Sequence, residues 1–120
     1  MTKKIMVVDD EKDIVDIVAS FLEGEGYTVH SALGGRECIE SIKEVNPELL
    51  LMDVMMPDMN GWEVLRDLKN MGVLEYIKVI MLTVVKEPKQ EYADLSPYVL
   101  DYITKPFNKK DLLKRVTRLM

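Results

Sequence analysis

The amino-acid sequence predicts a doubly wound α/β fold, in which helices cover both faces of a parallel β-sheet. Short apolar runs rich in β-branched residues alternate along the chain with stretches whose apolar residues recur at helical spacing. This alternation is typical of parallel strands joined by right-handed helical crossovers. The length of 120 residues allows one domain with its own hydrophobic core and is too short for two.

Five apolar runs are predicted to form the strands of the sheet. They cover residues 4–9, 27–32, 48–53, 78–83 and 99–104. Runs this apolar are typical of strands that are buried on both faces. We expect a flavodoxin-like three-layer sandwich with five helices and the strand order 2-1-3-4-5. In such a sheet the ligand crevice lies at the carboxyl ends of the strands, where the order reverses between the first and third strands.

One-sided apolar spacing predicts the first two helices. The first helix is predicted to be one-faced, because apolar residues recur at helical spacing, namely Ile14, Ile17, Val18, Phe21 and Leu22. Gly24 and Gly26 follow this helix and supply a stop and a turn. The second helix is predicted over residues 36–45, directly after a glycine pair, and Pro47 prevents it from continuing into the third strand.

Capping residues predict the third helix and the last one. Asn60 can cap a helix whose third residue is Glu63, and this pair resembles a capping box. Asn108 and Asp111 repeat the arrangement near the end of the chain. The last helix should be the best formed of all, because it combines this cap with a clear apolar face.

The segment between the fourth and fifth strands predicts only a short, weakly held helix. Pro88 permits only a helix that begins there, and residues 86–97 present no clear apolar face beyond Tyr92 and Leu95. Because the segment has few anchors to the core, we expect it to change position at modest cost.

The composition of the chain excludes several classes of function. Apolar residues make up 48% and charged residues 31%, the balance of an ordinary globular protein. The apolar runs are too short to span a membrane and no secretory signal precedes them, so we expect a cytoplasmic protein without a membrane partner. A net charge of −5 argues against direct binding to nucleic acid. The single cysteine, Cys38, agrees with a reducing compartment.

Polar side chains gather at the predicted carboxyl edge of the sheet. They are Asp9, Asp10, Asp53, Thr83 and Lys105. Taken singly, each could be a solvated polar residue at a strand end. Three neighbouring carboxylates repel one another unless a cation lies among them or their protonation shifts. Oxygen ligands favour Mg²⁺, Mn²⁺ or Ca²⁺ over zinc, and Mg²⁺ commonly shares its shell with phosphate, so phosphorylation of a carboxylate is the reaction that the set suggests.

Five fragments of the chain, in this order and at this spacing, resemble the receiver domains of two-component response regulators. The fragments are residues 7–11 (VVDDE), 51–57 (LMDVMMP), 60–61 (NG), 82–83 (LT) and 101–107 (DYITKPF). Each fragment alone is a weak signal, whereas all five together are specific. The resemblance covers the whole chain, so a receiver domain is expected over residues 1–120.

The resemblance implies that Asp53 is the phosphoacceptor. Its donor would be the phosphohistidine of a sensor histidine kinase or phosphotransfer protein, or a small phosphodonor such as acetyl phosphate. Asp10 and Asp53 would ligate Mg²⁺ directly, Met55 would add its backbone carbonyl, and Asp9 would act through bound water. No other cofactor is implied. The domain would be a phosphoacceptor switch that assists its own phosphorylation and dephosphorylation, not an enzyme acting on outside substrates.

Three further residues are implied to act on the phosphoryl group or to respond to it. Lys105 would pair with phosphoryl oxygens, and Pro106 suggests a cis peptide bond that aims this lysine. Thr83 would donate its hydroxyl, and Tyr102 would turn inward as the switch operates. The surface of the fourth helix, the fifth strand and the last helix would then signal, and it could also pair two copies as a homodimer.

Two other classes of function stay open at this point. A hydrolase with an aspartyl nucleophile usually carries a second carboxylate two residues on, where this chain has Met55. A flavodoxin-like binder of a nucleotide or flavin would need a phosphate loop after the first strand, where this chain has the sequence Asp-Asp-Glu-Lys-Asp at residues 9–13. Two positions depart from the family pattern, namely Val84 after the threonine and Pro97 before the fifth strand.

Overall fold

The computed structural model describes residues 3–84 and 90–120 of the chain. Five strands form one parallel sheet in the order β2-β1-β3-β4-β5, which confirms the predicted topology. The strands are β1 (Lys4–Val8), β2 (Thr28–Ala32), β3 (Leu49–Asp53), β4 (Lys78–Thr83) and β5 (Val99–Thr104). Each observed strand begins or ends within one residue of its prediction.

Four α-helices and one longer 3-10 helix account for the five predicted helices. The α-helices are α1 (Lys12–Glu23), α2 (Gly35–Val45), α3 (Gly61–Asn70) and α4 (Lys109–Leu119). A short 3-10 turn, Val73–Glu75, precedes β4, and the 3-10 helix Gln90–Tyr98 precedes β5. The predicted helix start at Pro88 lies outside the described residues. Among those residues no helix is long and apolar enough to cross a membrane.

Side chains at alternating positions of each strand pack into two separate hydrophobic cores, one on each face of the sheet. Ile5 and Val7 pack with α1 and α4 on one face of the sheet, whereas Met6 and Val8 pack with α2, α3 and the 3-10 helix on the other. Burial on both faces explains why the strand runs are apolar almost throughout. The methionines of the strands fill the core, as Met6 does.

Both predicted caps are present. The Asn60 side chain accepts a hydrogen bond from the Glu63 amide at 2.9 Å, and the Glu63 side chain accepts from the Asn60 amide at 3.0 Å. At α4, the Asn108 side chain accepts from the Asp111 amide at 2.7 Å. These caps fix where α3 and α4 begin, and α3 begins eight residues after the end of β3.

The 3-10 helix is held against α3 by charged side chains. Arg66 of α3 donates from Nη2 to Oδ1 of Asp94 at 3.1 Å, and the Lys69 ammonium lies 3.5 Å from Oδ2 of the same carboxylate. The Lys69 ammonium also lies 5.7 Å from the ring centroid of Tyr98. One buried apolar residue, Leu95, anchors the segment in the core. The segment is thus attached by charged contacts as well as by Leu95 and by the stacking of Tyr92 on Trp62.

Candidate functional site

Three carboxylates converge at the carboxyl ends of β1 and β3. These strands are neighbours in parallel register, with Val8 paired to Met52, so the residues that follow them meet at one edge. Asp9, Asp10 and Asp53 each place one carboxylate oxygen within 4.8 Å of the others. Asp9 is fully buried and Asp53 is 4% exposed, whereas Asp10 is exposed to solvent.

Lys105, which directly follows the edge strand β5, brings a positive charge into this cluster. Its ammonium lies 2.8 Å from Oδ2 of Asp9 and 3.2 Å from Oδ1 of Asp53. The Lys105 amide donates to the Thr83 carbonyl at 3.0 Å, which ties the start of the loop after β5 to the end of β4. The Lys105–Pro106 peptide bond is cis, as the resemblance implies.

Burial and charge shift the pKa values of this cluster. Desolvation raises the pKa of Asp53, the negative charge of Asp9 adds to the rise, and the opposing effect of Lys105 does not cancel it. Burial tends to lower the pKa of Lys105, but the hydrogen bond to Asp9 and the two negative charges outweigh it, so that pKa is raised. Asp9 and Asp53 thus share the Lys105 ammonium, and with Asp10 the oxygen-rich cluster keeps an excess of negative charge that fits a hard divalent cation.

Thr83 lies beside the cluster at the end of β4. Asp53 pairs in register with Leu82, and Thr83 is the next residue along the strand. The Val54 amide donates to the Leu82 carbonyl at 3.3 Å, so the pairing of β3 with β4 continues just beyond Asp53. Thr83 is 1% exposed, and its neighbour Val84 is 63% exposed.

Comparison with known proteins decides which family carries this arrangement. Residues 5–117 match the family of the response regulator receiver domain. The chain belongs to this family. The regulatory protein VanRc of Enterococcus gallinarum is 38% identical over 116 residues, which cover 97% of this chain and 49% of VanRc. The chain therefore spans about half the length of that curated relative.

Solved receiver structures have the same fold. A CheY-like response regulator receiver domain protein from Methanospirillum hungatei matches with a TM-score of 0.92 and 35% identity, covering 98% of this chain and 94% of that one. The chemotaxis protein CheY4 of Vibrio cholerae matches with a TM-score of 0.89 and 28% identity over the whole of both chains. This chain is the receiver domain of a two-component response regulator, and receiver domains in general are phosphoacceptor switches.

The loop after β3 carries Met55 two residues beyond Asp53. The Met55 amide donates to Oδ1 of Asp53 at 3.4 Å, and its side chain is exposed. In this receiver domain the position therefore contacts the carboxylate through its backbone.

Tyr102 of the receiver domain packs within an aromatic group beside α3. Its ring centroid lies 6.5 Å from that of Trp62, which is stacked on Tyr92 at 6.0 Å. The Tyr102 hydroxyl is buried, and within residues 3–84 and 90–120 it has no hydrogen-bond partner. The inward turn that the resemblance implies for Tyr102 would therefore start from a side chain whose hydroxyl is already buried. A buried hydroxyl without a partner costs about 1–3 kcal/mol.

One residue near the site, Asp58, lies outside the set that the sequence predicts. Its carboxylate accepts hydrogen bonds from the backbone amides of Gly35 and Arg36, at 3.3 Å and 3.1 Å, and these amides begin α2. In the sequence, the only features that accompany this contact are a glycine pair at the start of α2 and an acidic residue in the loop before α3. Nothing local in the sequence links positions 23 residues apart.

Proposed function

We propose that this receiver domain accepts a phosphoryl group on Asp53 in a phosphorelay. The donor is the phosphohistidine of a sensor histidine kinase or phosphotransfer protein. The single observation that carries the proposal is the buried Asp53 carboxylate, which lies 3.2 Å from the Lys105 ammonium in a cluster with two further carboxylates. That cluster supplies a nucleophile and a cation for the phosphoryl oxygens in one place.

Mg²⁺ is the proposed metal, because the donors are all oxygen atoms and the cluster is only partly neutralised by Lys105. Asp10 and Asp53 would hold the ion directly, Met55 would contribute its carbonyl, and Asp9 would act through water. An ion held there would supply positive charge to neutralise the phosphoryl oxygens. This neutralisation is needed because phosphate and three carboxylates repel one another.

The proposed transfer uses the side chains of this chain as follows. An oxygen of the ionised Asp53 carboxylate attacks phosphorus, and an O–P bond forms as the P–N bond of the phosphohistidine breaks. The bonding electron pair stays on the ring nitrogen, and the ring takes up one proton from solvent and leaves as neutral imidazole. Lys105 exchanges part of its pairing with Asp9 and Asp53 for the new phosphoryl oxygens. The Thr83 hydroxyl donates to another of these oxygens. The acceptor is the domain's own residue, so the domain assists its own phosphorylation and dephosphorylation and turns over no outside substrate.

The proposed output is a change in the surface formed by the 3-10 helix Gln90–Tyr98, β5 and α4. Covalent phosphate favours the arrangement in which Thr83 and Lys105 contact it, and the population shifts accordingly. Tyr102 on β5 would respond, because its buried hydroxyl gains stability from any arrangement that gives it a partner. The same surface would contact a downstream target or a second copy of the domain.

An apolar groove beside the cluster supports a protein phosphodonor. It has a volume of about 430 Å³ and is lined by side chains of α1, among them Ile14, Ile17 and Phe21, and by Phe107 and Lys105 after β5. A helix of the donor could bury its apolar face there while its phosphohistidine reaches Asp53. We place this exchange in the cytoplasm and without direct nucleic-acid contact, in keeping with the buried free thiol of Cys38 and the net charge of −5.

Intact mass spectrometry after incubation with acetyl phosphate tests the proposal. The wild-type domain should gain one phosphoryl group in Mg²⁺ and none in excess chelator. Asp53→Asn, which keeps the shape of the side chain, should gain none. Asp16→Asn is the matched control, since Asp16 is an exposed carboxylate paired with Lys12 on α1, and it should be labelled like the wild type. Wild-type labelling of Asp53→Asn would rule out Asp53 as the acceptor.

A further inference from the structure

The helix α2 begins without a cap of its own. Its N-cap residue is Gly34, which has no side chain to accept from the first amides, and those amides need acceptors. Asp58, from the loop that connects β3 to α3, supplies the acceptors. Oδ1 accepts from the Gly35 amide at 3.3 Å and Oδ2 accepts from the Arg36 amide at 3.1 Å. The cap of α2 is therefore built by a distant part of the chain.

The glycine pair makes room for this contact. A Cβ atom on Gly34 would lie 2.9 Å from Oδ2 of Asp58. On Gly35 it would lie 2.5 Å from Cγ2 of Val64 and 3.1 Å from Cβ of Met59. Neither glycine has a positive φ, so what the two positions require is space for the loop and for the side chain of Val64 on α3, rather than an unusual backbone conformation.

Asp58 is bound in the middle of the loop that leaves Asp53. At its ends the loop is held by the Gly61 amide, which donates to the Val54 carbonyl at 2.8 Å, and by the capping box at the start of α3. Met55 lies between the first of these anchors and Asp58. The Asp58 carboxylate also accepts from the Met59 amide at 2.8 Å, which fixes its own orientation.

We infer that Asp58 is a positioning residue for the metal site, and that its bond to the start of α2 sets the path of the loop carrying the Met55 carbonyl. The inference rests on the proposed function, because it assigns the loop a role in holding Mg²⁺. A carbonyl on an unanchored loop must be ordered each time the ion binds, which weakens binding. A loop already tied to a helix carries less of that cost.

The charge of Asp58 suits this role. The hydrogen bond from the Arg36 amide has the largest effect on the pKa of Asp58. Together with the bonds from the Gly35 and Met59 amides it outweighs desolvation and holds this pKa below its ordinary value. Its carboxylate is therefore ionised at neutral pH, and a negative charge at a helix N-terminus is stabilising. Because this pKa is depressed, the contribution is present above the pKa of the unfolded chain and is lost as pH falls through the folded value.

Calorimetric titration with Mg²⁺ alone tests the inference on the complete chain. Asp58→Asn keeps one acceptor oxygen and loses the other and the charge, and we expect it to bind Mg²⁺ about tenfold more weakly. Glu37→Gln is the matched control, because Glu37 is also a carboxylate at the start of α2 but accepts from the Leu33 amide and does not touch the loop. Its Mg²⁺ affinity should stay at the wild-type value.

Two further measurements keep the inference testable if Asp58→Asn is poorly folded. Gly34→Ala should displace the carboxylate without removing it and should weaken Mg²⁺ binding in the same direction. Without metal, amide hydrogen exchange at Gly35 and Arg36 should be faster in Asp58→Asn than in the wild type. Wild-type affinity in Asp58→Asn, or an equal loss in Glu37→Gln, would overturn the inference. A wild-type domain that neither binds Mg²⁺ nor accepts a phosphoryl group would instead overturn the proposed function.

Discussion

The Lys105 ammonium lies 2.8 Å from Oδ2 of Asp9, although the two residues are 96 positions apart in the chain. Asp9 is fully buried, and Lys105 also reaches Asp53 at 3.2 Å. An ammonium in this position neutralises part of the charge that a metal ion would neutralise. The lysine and the metal should therefore compete for the same carboxylates.

Removal of Lys105 should tighten Mg²⁺ binding. In Lys105→Met the carboxylates lose their competing cation, and at about 1 kcal/mol for the lost competition the affinity should rise roughly fivefold. Calorimetric titration measures this change, and Lys109→Met on α4 is a matched control that should leave the affinity unaltered. Weaker binding in Lys105→Met would show that the ammonium supports the metal site and does not compete with it.

Asp53→Asn should stabilise the metal-free domain at neutral pH. Burial, together with the charge of Asp9, raises the pKa of Asp53, so its ionised form is disfavoured in the folded state. The stability associated with this group is present below its ordinary pKa of 3.8 and is lost as pH rises through the raised folded value. The melting temperature of Asp53→Asn should exceed that of the wild type by a few degrees at neutral pH, and the difference should shrink at acidic pH.

Thermal unfolding in chelator from acidic to neutral pH measures this difference. Asp16→Asn removes an exposed carboxylate and should show no such gain at neutral pH. A difference between Asp53→Asn and the wild type that stays constant across the whole range would contradict the titration of Asp53 as its cause.

Val84→Ala should speed phosphoryl exchange at Asp53. Val84 follows Thr83 directly, is 63% exposed, and lines the apolar groove beside the cluster together with Lys105. We take this groove as the entrance to the cluster. A smaller side chain should admit acetyl phosphate or attacking water more readily. The rates of phosphorylation and of phosphoryl loss can be measured by quenching the reaction at successive times. Leu33→Ala is the control, because Leu33 is also an exposed apolar residue. Unchanged rates in both directions would remove the entrance effect.

Tyr102→Phe should stabilise the domain by about 1 kcal/mol, because it removes a buried hydroxyl that has no partner in the part of the chain described. The packing against Trp62 is retained, since the ring is unchanged. Chemical denaturation measures the free energy of unfolding. Tyr76→Phe, at an exposed position, should change it little. A loss of stability in Tyr102→Phe would mean that the hydroxyl makes a favourable contact.

The sheet and the carboxylate cluster could be predicted because both follow from local patterns. A buried parallel strand is an apolar run, and β1 and β3 each lead into acidic residues at one edge. The α3 cap could be predicted because Asn60 and Glu63 lie three residues apart. In contrast, the Asp58 cap of α2 depends on the tertiary approach of two loops. The attachment of Gln90–Tyr98 to α3 uses charged contacts that a search for an apolar stripe does not detect.

The helix α3 contacts two different parts of the molecule, the end of β3 through its first residue and the 3-10 helix through its side chains. A Cβ atom on Gly61 would lie 2.7 Å from the carbonyl oxygen of Asp53, so α3 begins in close contact with the backbone of Asp53. Farther along, Arg66 and Lys69 bind Asp94 of the 3-10 helix. The helix α3 thus contacts both the carboxylate cluster and the 3-10 helix that is proposed to change with phosphorylation. Substitution of Arg66 and Lys69 is therefore a way to change the position of the 3-10 helix without altering the carboxylates of Asp9, Asp10 and Asp53.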